Sequence, residues 1–302
     1  MANPFIKKTP GEKVFDFFNI FALILFSFTM LYPLVYVFSV SISNPRAVSL
    51  GQVVLFPVGF DLTAYKITAL NRYLWQSYRN TILYVVLGTF LILLLNTMAA
   101  YPLSRKDFYG KKLLTIYFTI TMFFSGGLIP TYLLINKLGM LDTIWVMVLP
   151  GAVGAWSIII FRTNFKNIPD SMIESVEIDG GNAFQIFLRI ILPLSKPILA
   201  TIALFSVVEI WNEFFTGLIY LNKRDLLPLQ NYLRTLIVNS NFEDFARNPV
   251  FMRAGLDQGA TGGLAEAIKM AAIIVSLGPI LLAYPFIQKY FVKGTLVGSI
   301  KG

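Results

Sequence analysis

The chain has 302 residues, of which 56% are hydrophobic and only 14% are charged, and its mean hydropathy is +0.68. Soluble domains carry about 25% charged residues, so this composition indicates a membrane protein. Cysteine and histidine are absent, which excludes disulfides, thiolate chemistry, imidazole metal sites and histidine-based acid–base catalysis. The net charge is +9, and in a membrane protein an excess of basic residues usually marks the cytoplasmic side. No basic, aromatic-rich stripe favours a nucleic-acid partner.

Six apolar segments are each long enough to cross a bilayer, which takes a helix of about 20 residues. Their charged residues are few: Glu209 and Glu213 lie within the fifth segment, and Lys269 and Lys289 bound the sixth. We therefore predict an all-α polytopic membrane protein that forms a single membrane domain over residues 1–302. The predicted spans cover residues 17–43, 80–104, 113–136, 143–161, 197–221 and 269–289.

Lysine and arginine are concentrated in alternate connecting segments, which predicts the orientation of the chain. They cluster before the first span, in the loops at 105–112 and 162–196, and after residue 288. Because cytoplasmic loops carry the excess of these residues, we expect both termini in the cytoplasm of a multi-pass inner or plasma membrane protein. Two longer segments, 44–78 and 222–267, are then external. The second contains a predicted helix with an apolar face formed by Leu229, Leu233, Leu236 and Ile237.

One cytoplasmic segment, residues 166–197, has more internal structure than a simple linker. Pro169 is suited to the first turn of a helix. Gly180 can adopt the positive φ that a tight corner between two helices requires. Pro193 and Pro197 are expected to break a second amphipathic helix before the fifth span. The pattern predicts two short helices at a fixed angle along the cytoplasmic face.

This segment resembles the cytoplasmic signature of permease subunits in binding-protein-dependent ABC importers. That signature has the form E-A-A-x-x-x-D-G and continues to F, I, L-P and a final P. The chain matches it at Glu174, Asp179, Gly180, Phe187, Ile190, Leu192, Pro193 and Pro197. It departs at Ser175 and Val176, where the family prefers alanine, and at Gly181. The alternative interpretation is an ordinary amphipathic helix at the membrane surface.

The resemblance extends over nearly the whole chain. Residues 125–150, 211–215 and 289–302 are similar to carbohydrate permeases of the maltose-transporter type, and most similar to the second permease of oligosaccharide systems. This implies a type I ABC importer permease fold with a cytoplasmic coupling helix that docks in a groove of an ATPase subunit. It also implies a carbohydrate, specifically an oligosaccharide, as cargo. The implied partners are a second, homologous permease in a heterodimer, two cytoplasmic ATPase subunits and an extracytoplasmic solute-binding protein.

The resemblance implies the residues that couple this chain to the ATPase: Glu174, Glu177, Asp179, Gly180, Gly181, Phe187, Pro193 and Pro197. It also implies that the cytoplasmic tail, residues 293–302, reaches the ATPase pair, although a basic tail that only follows the charge bias is an alternative. The sequence contains no phosphate-binding loop of the form G-x-x-x-x-G-K-[ST]. ATP and Mg²⁺ are therefore expected on the partner ATPase, and we expect no catalytic or metal site here.

Polar residues inside a span are costly and often functional, and the fifth span contains four of them. They are Glu209, Trp211, Asn212 and Glu213, of which the two glutamates are four residues apart and so share a helical face. An aromatic ring can stack on a sugar, while amides and carboxylates can bind its hydroxyl groups. The alternative is that Trp211 anchors the helix at the interface and that the glutamates pair with nearby cations.

The third span contains a break signal, since Gly126 and Gly127 precede Pro130 after Ser125. A broken helix is tolerated at membrane depth where its backbone lines a cavity or contacts protein. Ser125 and Tyr132 are therefore further candidates for the solute pathway, although a tyrosine at the lipid interface is an equal alternative for Tyr132.

Three other functions compete with that of an ATP-driven permease. An ion-coupled secondary transporter predicts internal repeats and a relay of charges within the spans, and neither is visible. An intramembrane protease of the H-E-x-x-H or Ser–His type is impossible without histidine, and an aspartate dyad would need aspartates within the spans. A membrane scaffold that transports nothing remains an alternative, but it would leave the 166–197 segment without a role.

Overall fold

The structure is a computed structural model that describes residues 9–238 and 262–281. The regular elements in these two ranges are helices, and an isolated antiparallel bridge joins Ser43 to Phe60. The chain divides into two compact units, Met1–Asn71 with Leu236–Leu277 and Arg72–Thr235 with Gly278–Gly302. The helical expectation is therefore confirmed. The predicted tail at 293–302 and the last eight residues of the sixth predicted span lie outside the described residues.

The helices in chain order are α1 (Pro10–Ser41), α2 (Pro45–Ser49), α3 (Thr63–Ala69), α4 (Arg72–Ser104), α5 (Lys111–Phe123), α6 (Leu128–Lys137), α7 (Trp145–Val148), α8 (Ala155–Lys166), α9 (Asp170–Ile178), α10 (Ala183–Ile186), α11 (Leu192–Leu194), α12 (Lys196–Asn212), α13 (Phe215–Tyr220), α14 (Leu229–Val238) and α15 (Gly262–Leu281). A π-helical turn, Phe187–Ile191, connects α10 to α11, and a 3-10 turn, Arg224–Leu226, precedes α14.

Within the described residues, three helices are long and apolar enough to cross a membrane: α1, α4 and α15. Two bent pairs raise this number to five if each pair is one span. One pair is α5 with α6, bent by 114°, and the other is Ala183–Leu194 with α12, bent by 78°. The arrangement of six spans therefore stays a prediction.

Three of the predicted spans are not single helices. The break between α5 and α6 lies at the glycine–proline segment where the sequence predicted it. The predicted span 143–161 is divided into α7 and α8, and the predicted span 197–221 is divided into α12 and α13. The sequence carries local signals at the last two breaks, Pro150 and Gly151 at the first and Glu213 at the second, but a search for apolar spans passes over them.

In the first unit, α1 begins with a reciprocal cap. Thr9 accepts the N–H of Glu12 at 3.3 Å, and the Glu12 carboxylate accepts the N–H of Thr9 at 2.7 Å. None of the most apolar stretch of α1 is buried within the described chain, as expected of a helix that faces lipid or other subunits. At its other end, the Ser41 hydroxyl lies 2.9 Å from the hydroxyl of Tyr65. The same unit buries α3 against α15, around Leu264.

In the second unit, α4 packs between α8 and α12. Leu103 of α4, Phe161 of α8 and Ile202 of α12 are buried in one apolar cluster. Near the middle of α4, a Cβ on Gly88 would lie 2.7 Å from Cδ1 of Ile210, so the absent side chain is what lets α12 approach closely. This cluster is the base on which the segment after α8 rests.

The amphipathic helix predicted in the second external segment is α14. Leu229, Leu233 and Leu236 of its apolar face are buried, whereas Ile237 lies in the last turn and is half exposed.

A buried amide supports the break between α7 and α8. Asn96 of α4 is fully buried, and its Nδ2 donates to the carbonyls of Ile92, at 2.6 Å, and Ala152, at 2.9 Å. Its Oδ1 accepts the N–H of Gly154 at 2.8 Å. An apolar environment offers no water to unpaired backbone groups, so the break is tolerated because Asn96 pairs them.

We expect Asn96→Leu to destabilise the protein by about 1–3 kcal/mol for each backbone group left unpaired, at Ala152 and at Gly154. Thermal unfolding of the purified protein in detergent measures this. Thr97→Val is the matched control, because the Thr97 hydroxyl donates only to carbonyls of its own helix. Equal losses in the two variants would contradict a bridging role for Asn96.

Candidate functional site

The segment that carries the sequence signature is amphipathic, with one face in the core. Ile173 of α9 is 5% exposed and joins the cluster formed by α4, α8 and α12, and Val176 packs against the same cluster. The carboxylates of Glu174, Glu177 and Asp179, beside this apolar face and after it, are exposed. Helix α9 is therefore attached by its apolar side and presents its acidic side outward.

The corner after α9 has the hydrogen bonds of a Schellman motif. The N–H of Gly180 donates to the carbonyl of Glu177 at 3.0 Å, and the N–H of Gly181 donates to that of Val176 at 2.8 Å. Gly180 has φ +77°, as the sequence predicted, and this conformation is costly for a residue with a side chain. The glycine pair thus sets the direction in which the chain leaves α9.

The second half of the segment begins at once with its own cap. Asn182 accepts the N–H of Gln185 at 2.9 Å, and Gln185 accepts the N–H of Asn182 at the same distance. The ring of Phe187 is buried, with its centroid 5.4 Å from that of Tyr101 in α4. Both halves of the segment are therefore anchored to the same core.

The two prolines affect the helix differently. Pro193 does not end it, contrary to the expectation, because the preceding turn widens to a π-helix in which the N–H of Leu192 donates to the carbonyl of Phe187. Pro197 lies in the first turn of α12. The 78° bend falls between them, at Ser195. The Ser195 hydroxyl is buried there and has no hydrogen-bond partner in the described chain.

Exposed apolar side chains lie among the carboxylates of this segment. Ile178 is 85% exposed, and Met172 and Phe184 are also exposed. Large apolar side chains that stand beside charged ones at the surface are typical of a protein-binding site. The surface formed by α9, the corner and α10 therefore has the composition of a contact with another chain.

An ion pair holds the start of α9. Lys106, in the connection between α4 and α5, lies 2.8 Å from the carboxylate of Asp170, the first residue of α9. The hydrogen bond from Lys106 lowers the pKa of the Asp170 carboxyl, and the same contact raises the pKa of the Lys106 amine. Both groups are solvent exposed, so the pair contributes little to the stability of the fold and serves mainly to position the start of α9.

The polar residues predicted in the fifth span lie in the last turn of α12 and the break after it. Trp211 is 7% exposed, and its ring centroid lies 5.9 Å from that of Tyr78 in an edge-to-face arrangement. Its indole N–H is buried without a hydrogen-bond partner among the described residues. A buried donor in this state is unusual, since most such groups are paired.

The other three candidates in this region differ in what they contact. Glu209 is exposed, and Asn212 is exposed with its amide donating to the carbonyl of Val208 at 2.8 Å. Glu213 follows the end of α12 with an extended ψ of 120°, and its carboxylate accepts the N–H of Thr216 at 2.7 Å. Glu213 therefore caps α13, a contact that neither of the sequence interpretations included.

The candidates from the third span are separated by the start of α6. Ser125 is exposed in the break before α6. Tyr132 lies within α6 and stacks on Tyr220 of α13, with ring centroids 5.8 Å apart and an angle of 16° between the rings. The structure thus brings Tyr132 close to the end of the divided fifth span, whereas Ser125 remains on the other side of the start of α6.

Asp142 joins the α6–α7 connection to the segment after α13, a role that sequence reasoning missed. It is the one non-glycine residue with positive φ, +55°, among those described. Its carboxylate accepts the backbone N–H groups of Lys223 and Asn222, and its own N–H donates to the carbonyl of Tyr220 at 3.1 Å. These two backbone donors lower the pKa of the Asp142 carboxyl. An aspartate directly after an apolar run was the available signal.

Side chains of α4 hold the segment that follows. Asn80 donates to the carbonyls of Asp225, at 2.7 Å, and Leu227, at 3.2 Å, and the hydroxyl of Tyr84 donates to that of Leu226 at 2.7 Å. The first eight residues of α4 lie outside the predicted span, which began at Asn80. Spacing along the chain could not have revealed these partners, because they lie about 145 residues away.

Comparison of this sequence with known proteins shows which family the chain belongs to. The family of binding-protein-dependent transport system inner membrane components matches residues 1–297. The chain belongs to this family. Its members are transport permeases of the inner membrane and not a catalytic family.

Relatives of this permease match it along nearly its whole length. The polygalacturonan/rhamnogalacturonan transport system permease protein YtcP of Bacillus subtilis (strain 168) is 37% identical over 96% of this chain and 99% of its own. Protein LplC of the same organism is 37% identical over 97% of each chain. One chain in the crystal structure of a bacterial ABC transporter involved in the import of the acidic polysaccharide alginate has a TM-score of 0.85, at 33% identity over 95% of this chain and 99% of that chain. The expected ABC importer permease fold is confirmed.

Two departures of this permease from the family signature lie in contact with each other. A Cβ on Gly181 would overlap the Val176 side chain and would lie 2.8 Å from the Val176 carbonyl oxygen. The valine at 176 therefore occupies space that a side chain at 181 would need. The larger residue at one position and the glycine at the other compensate.

We expect Gly181→Ala to destabilise the corner by about 1–3 kcal/mol through overpacking. Val176→Ala combined with Gly181→Ala should recover part of this loss, since it removes the side-chain overlap but leaves the contact with the carbonyl. Thermal unfolding of wild type, both single variants and the double variant gives the coupling energy. Strictly additive effects would show that the two positions do not compensate.

Proposed function

We propose that this chain is one permease subunit of an ATP-driven ABC importer, which moves a carbohydrate oligomer from an external binding protein into the cytoplasm by alternating access. Membership of the family supports transport, and the names of the relatives support a carbohydrate cargo. The observation that carries the proposal is the 170–191 segment, anchored in the core by Ile173 and Phe187 and exposing an acidic and apolar surface.

The proposed topology has six spans with both termini in the cytoplasm. Five of the spans contain α1, α4, the α5–α6 pair, α12 with α13, and α15. The remaining span is α7 with α8, whose broken backbone is compatible with the bilayer because Asn96 pairs the groups freed at Ala152 and Gly154. Lysines and arginines at 105–112 and 162–166 support a cytoplasmic position for the start of α9.

In the proposed mechanism, α9 is the coupling helix and docks in a groove of an ATPase subunit. Glu174, Glu177 and Asp179 supply hydrogen-bond acceptors to that partner, and the exposed Ile178 supplies apolar area. A push on α9 reaches α4 through the Phe187–Tyr101 contact and reaches α12 through the bend at its start. The apolar anchoring of α9 matters here, since a loosely held helix would absorb the movement.

The remaining components follow from this role. Two cytoplasmic ATPase subunits bind ATP and Mg²⁺, a second homologous permease completes a heterodimer, and an extracytoplasmic binding protein delivers the solute. This chain contributes no catalytic residue, no metal ligand and no nucleic-acid contact in the proposal.

The proposed solute contact lies where α12 breaks. Trp211 holds an indole N–H that no described group accepts, and Tyr132 presents an aromatic face stacked on Tyr220 nearby along α13. A sugar hydroxyl can accept from the indole, and Glu209 and Asn212 carry exposed polar groups one turn apart. Glu213 is assigned to shaping the break, because its carboxylate is already used to cap α13.

The corner at Gly180 tests the coupling role. Gly180→Val places a β-branched residue at φ +77°, at a cost of about 1–2 kcal/mol, so the angle between α9 and α10 should change. We expect uptake to fall at least tenfold and solute-stimulated ATP hydrolysis to be lost in proteoliposomes of the complete transporter, while the variant still inserts and assembles.

Gly180→Asn is the matched control, because asparagine tolerates positive φ, and it should retain most of both activities. No side chain lies within 4 Å of the Cβ position, so a difference between valine and asparagine reports backbone strain and not a clash. Wild-type uptake and wild-type stimulated hydrolysis in the valine variant would refute the coupling assignment.

The indole at 211 tests the solute contact. Trp211→Phe keeps an aromatic ring against Tyr78 but deletes the N–H, so we expect KM for uptake to rise about 2- to 10-fold, the effect of one hydrogen bond, with assembly intact. Trp145→Phe is the control, since Trp145 is half exposed in α7. Oligogalacturonides and alginate oligomers are the first solutes to test. Unchanged uptake kinetics in Trp211→Phe would assign the indole to packing.

A further inference from the structure

A cationic cavity lies beside the start of α9, and the transport proposal does not use it. The cavity has a volume of about 410 Å³ and lies where the ends of α4 and α8 meet the starts of α5 and α9. Four of its lining residues are cations, Arg105, Lys106, Lys111 and Lys166, and one, Asp170, is an anion. The wall therefore carries a clear excess of positive charge.

Some of the four cations already have partners within the protein. The Lys111 amine donates to the carbonyls of Arg105, at 3.1 Å, and Lys106, at 2.9 Å, which holds the loop in a closed turn. Lys106 is paired with Asp170 at 2.8 Å. Lys166 is the last residue of α8. The Arg105 guanidinium lies over the ring of Tyr101, 5.8 Å from its centroid, and its Nε donates to the Ser104 hydroxyl at 3.4 Å. The paired carboxylate thus neutralises one of the four cations.

The position of the cavity restricts what can occupy it. The apolar run of α4 ends at Ser104, one residue before the first of the cations, and Lys166 ends α8. In the proposed topology these helix ends lie at the cytoplasmic surface of the bilayer, at the depth of the lipid phosphates. Basic pockets between helix ends on this side of a membrane are suited to anionic headgroups.

We propose that this cavity binds a phosphate-bearing anion, for which the phosphodiester of an anionic membrane lipid is the source that its position favours. Phosphate oxygens accept charge-assisted hydrogen bonds, and the planar guanidinium of Arg105 can donate two of them to one phosphate. Lys111 and Lys166 also line the cavity and add to its positive charge. The inference rests on the proposed topology for the depth of the cavity, but not on the identity of the transported solute.

Occupancy of the cavity would change how α9 is held. A phosphate next to Lys106 competes with Asp170 for the same amine, and Asp170 is the first residue of the proposed coupling helix. Anionic lipid would therefore alter the start of α9 and with it the rate of ATP hydrolysis by the complete transporter. The site thus links lipid composition to coupling.

The binding test uses the complete transporter, purified through this chain and placed in nanodiscs of phosphatidylcholine with increasing phosphatidylglycerol. Native mass spectrometry counts the lipid molecules retained after transfer to detergent. Arg105→Gln combined with Lys166→Gln should weaken retention of phosphatidylglycerol by about fivefold per cation removed. Lys112→Gln removes an exposed cation in the first turn of α5 that does not line the cavity, and this variant should retain phosphatidylglycerol as wild type does.

Two further measurements identify the source of the bound phosphate group and the effect of its binding on ATP hydrolysis. Inorganic phosphate at millimolar concentration that displaces phosphatidylglycerol from wild type would support the phosphate site and assign a soluble source as well. ATP hydrolysis should respond to the phosphatidylglycerol content in wild type and Lys112→Gln, and should not respond in the double variant. Equal retention by the double variant and wild type overturns the site, and if uptake persists in that case the transport proposal still stands.

Discussion

The structure depends on one constraint: a backbone group inside an apolar environment must be paired within the protein. The chain breaks its helices repeatedly, and side chains or local motifs pair backbone groups at the breaks. Asn96 pairs those between α7 and α8, and Glu213 pairs one at the start of α13. The corner after α9 is exposed to water, and there the N–H groups of Gly180 and Gly181 pair the last carbonyls of the helix in a local motif. At these places in the permease, the irregular backbone is therefore held by specific hydrogen bonds.

This constraint explains why several polar residues in apolar segments are structural. Asn96 and Glu213 carry the polar groups expected of solute-binding residues, but their amide and carboxylate groups already form hydrogen bonds with the backbone. Trp211 differs, because its buried N–H has no partner among the described residues. A polar group becomes a candidate for solute contact only when its own hydrogen bonds have been accounted for.

The 170–191 segment combines rigid attachment with an accessible surface. Its attachment comes from Ile173 and Phe187 in the core and from the Lys106–Asp170 pair at its start. Its accessible surface consists of carboxylates and exposed apolar side chains. In the proposed mechanism, this attachment is what allows movement of a partner against that surface to be transmitted to the core. The neighbouring cationic cavity is lined by both members of that pair, so the proposed anion would act on the same helix start.

The sequence by itself determined the helical class, the apolar segments, the positive φ at Gly180 and the segment that carries the family signature. These follow from local properties, since hydropathy, charge bias and the steric freedom of glycine act within a few residues. Only the tertiary structure decided that Asn96 pairs the backbone groups freed between α7 and α8, and that Asp142 ties the α6–α7 connection to the segment after α13. Those features depend on groups brought together by folding across many residues, and no local pattern records such a pairing.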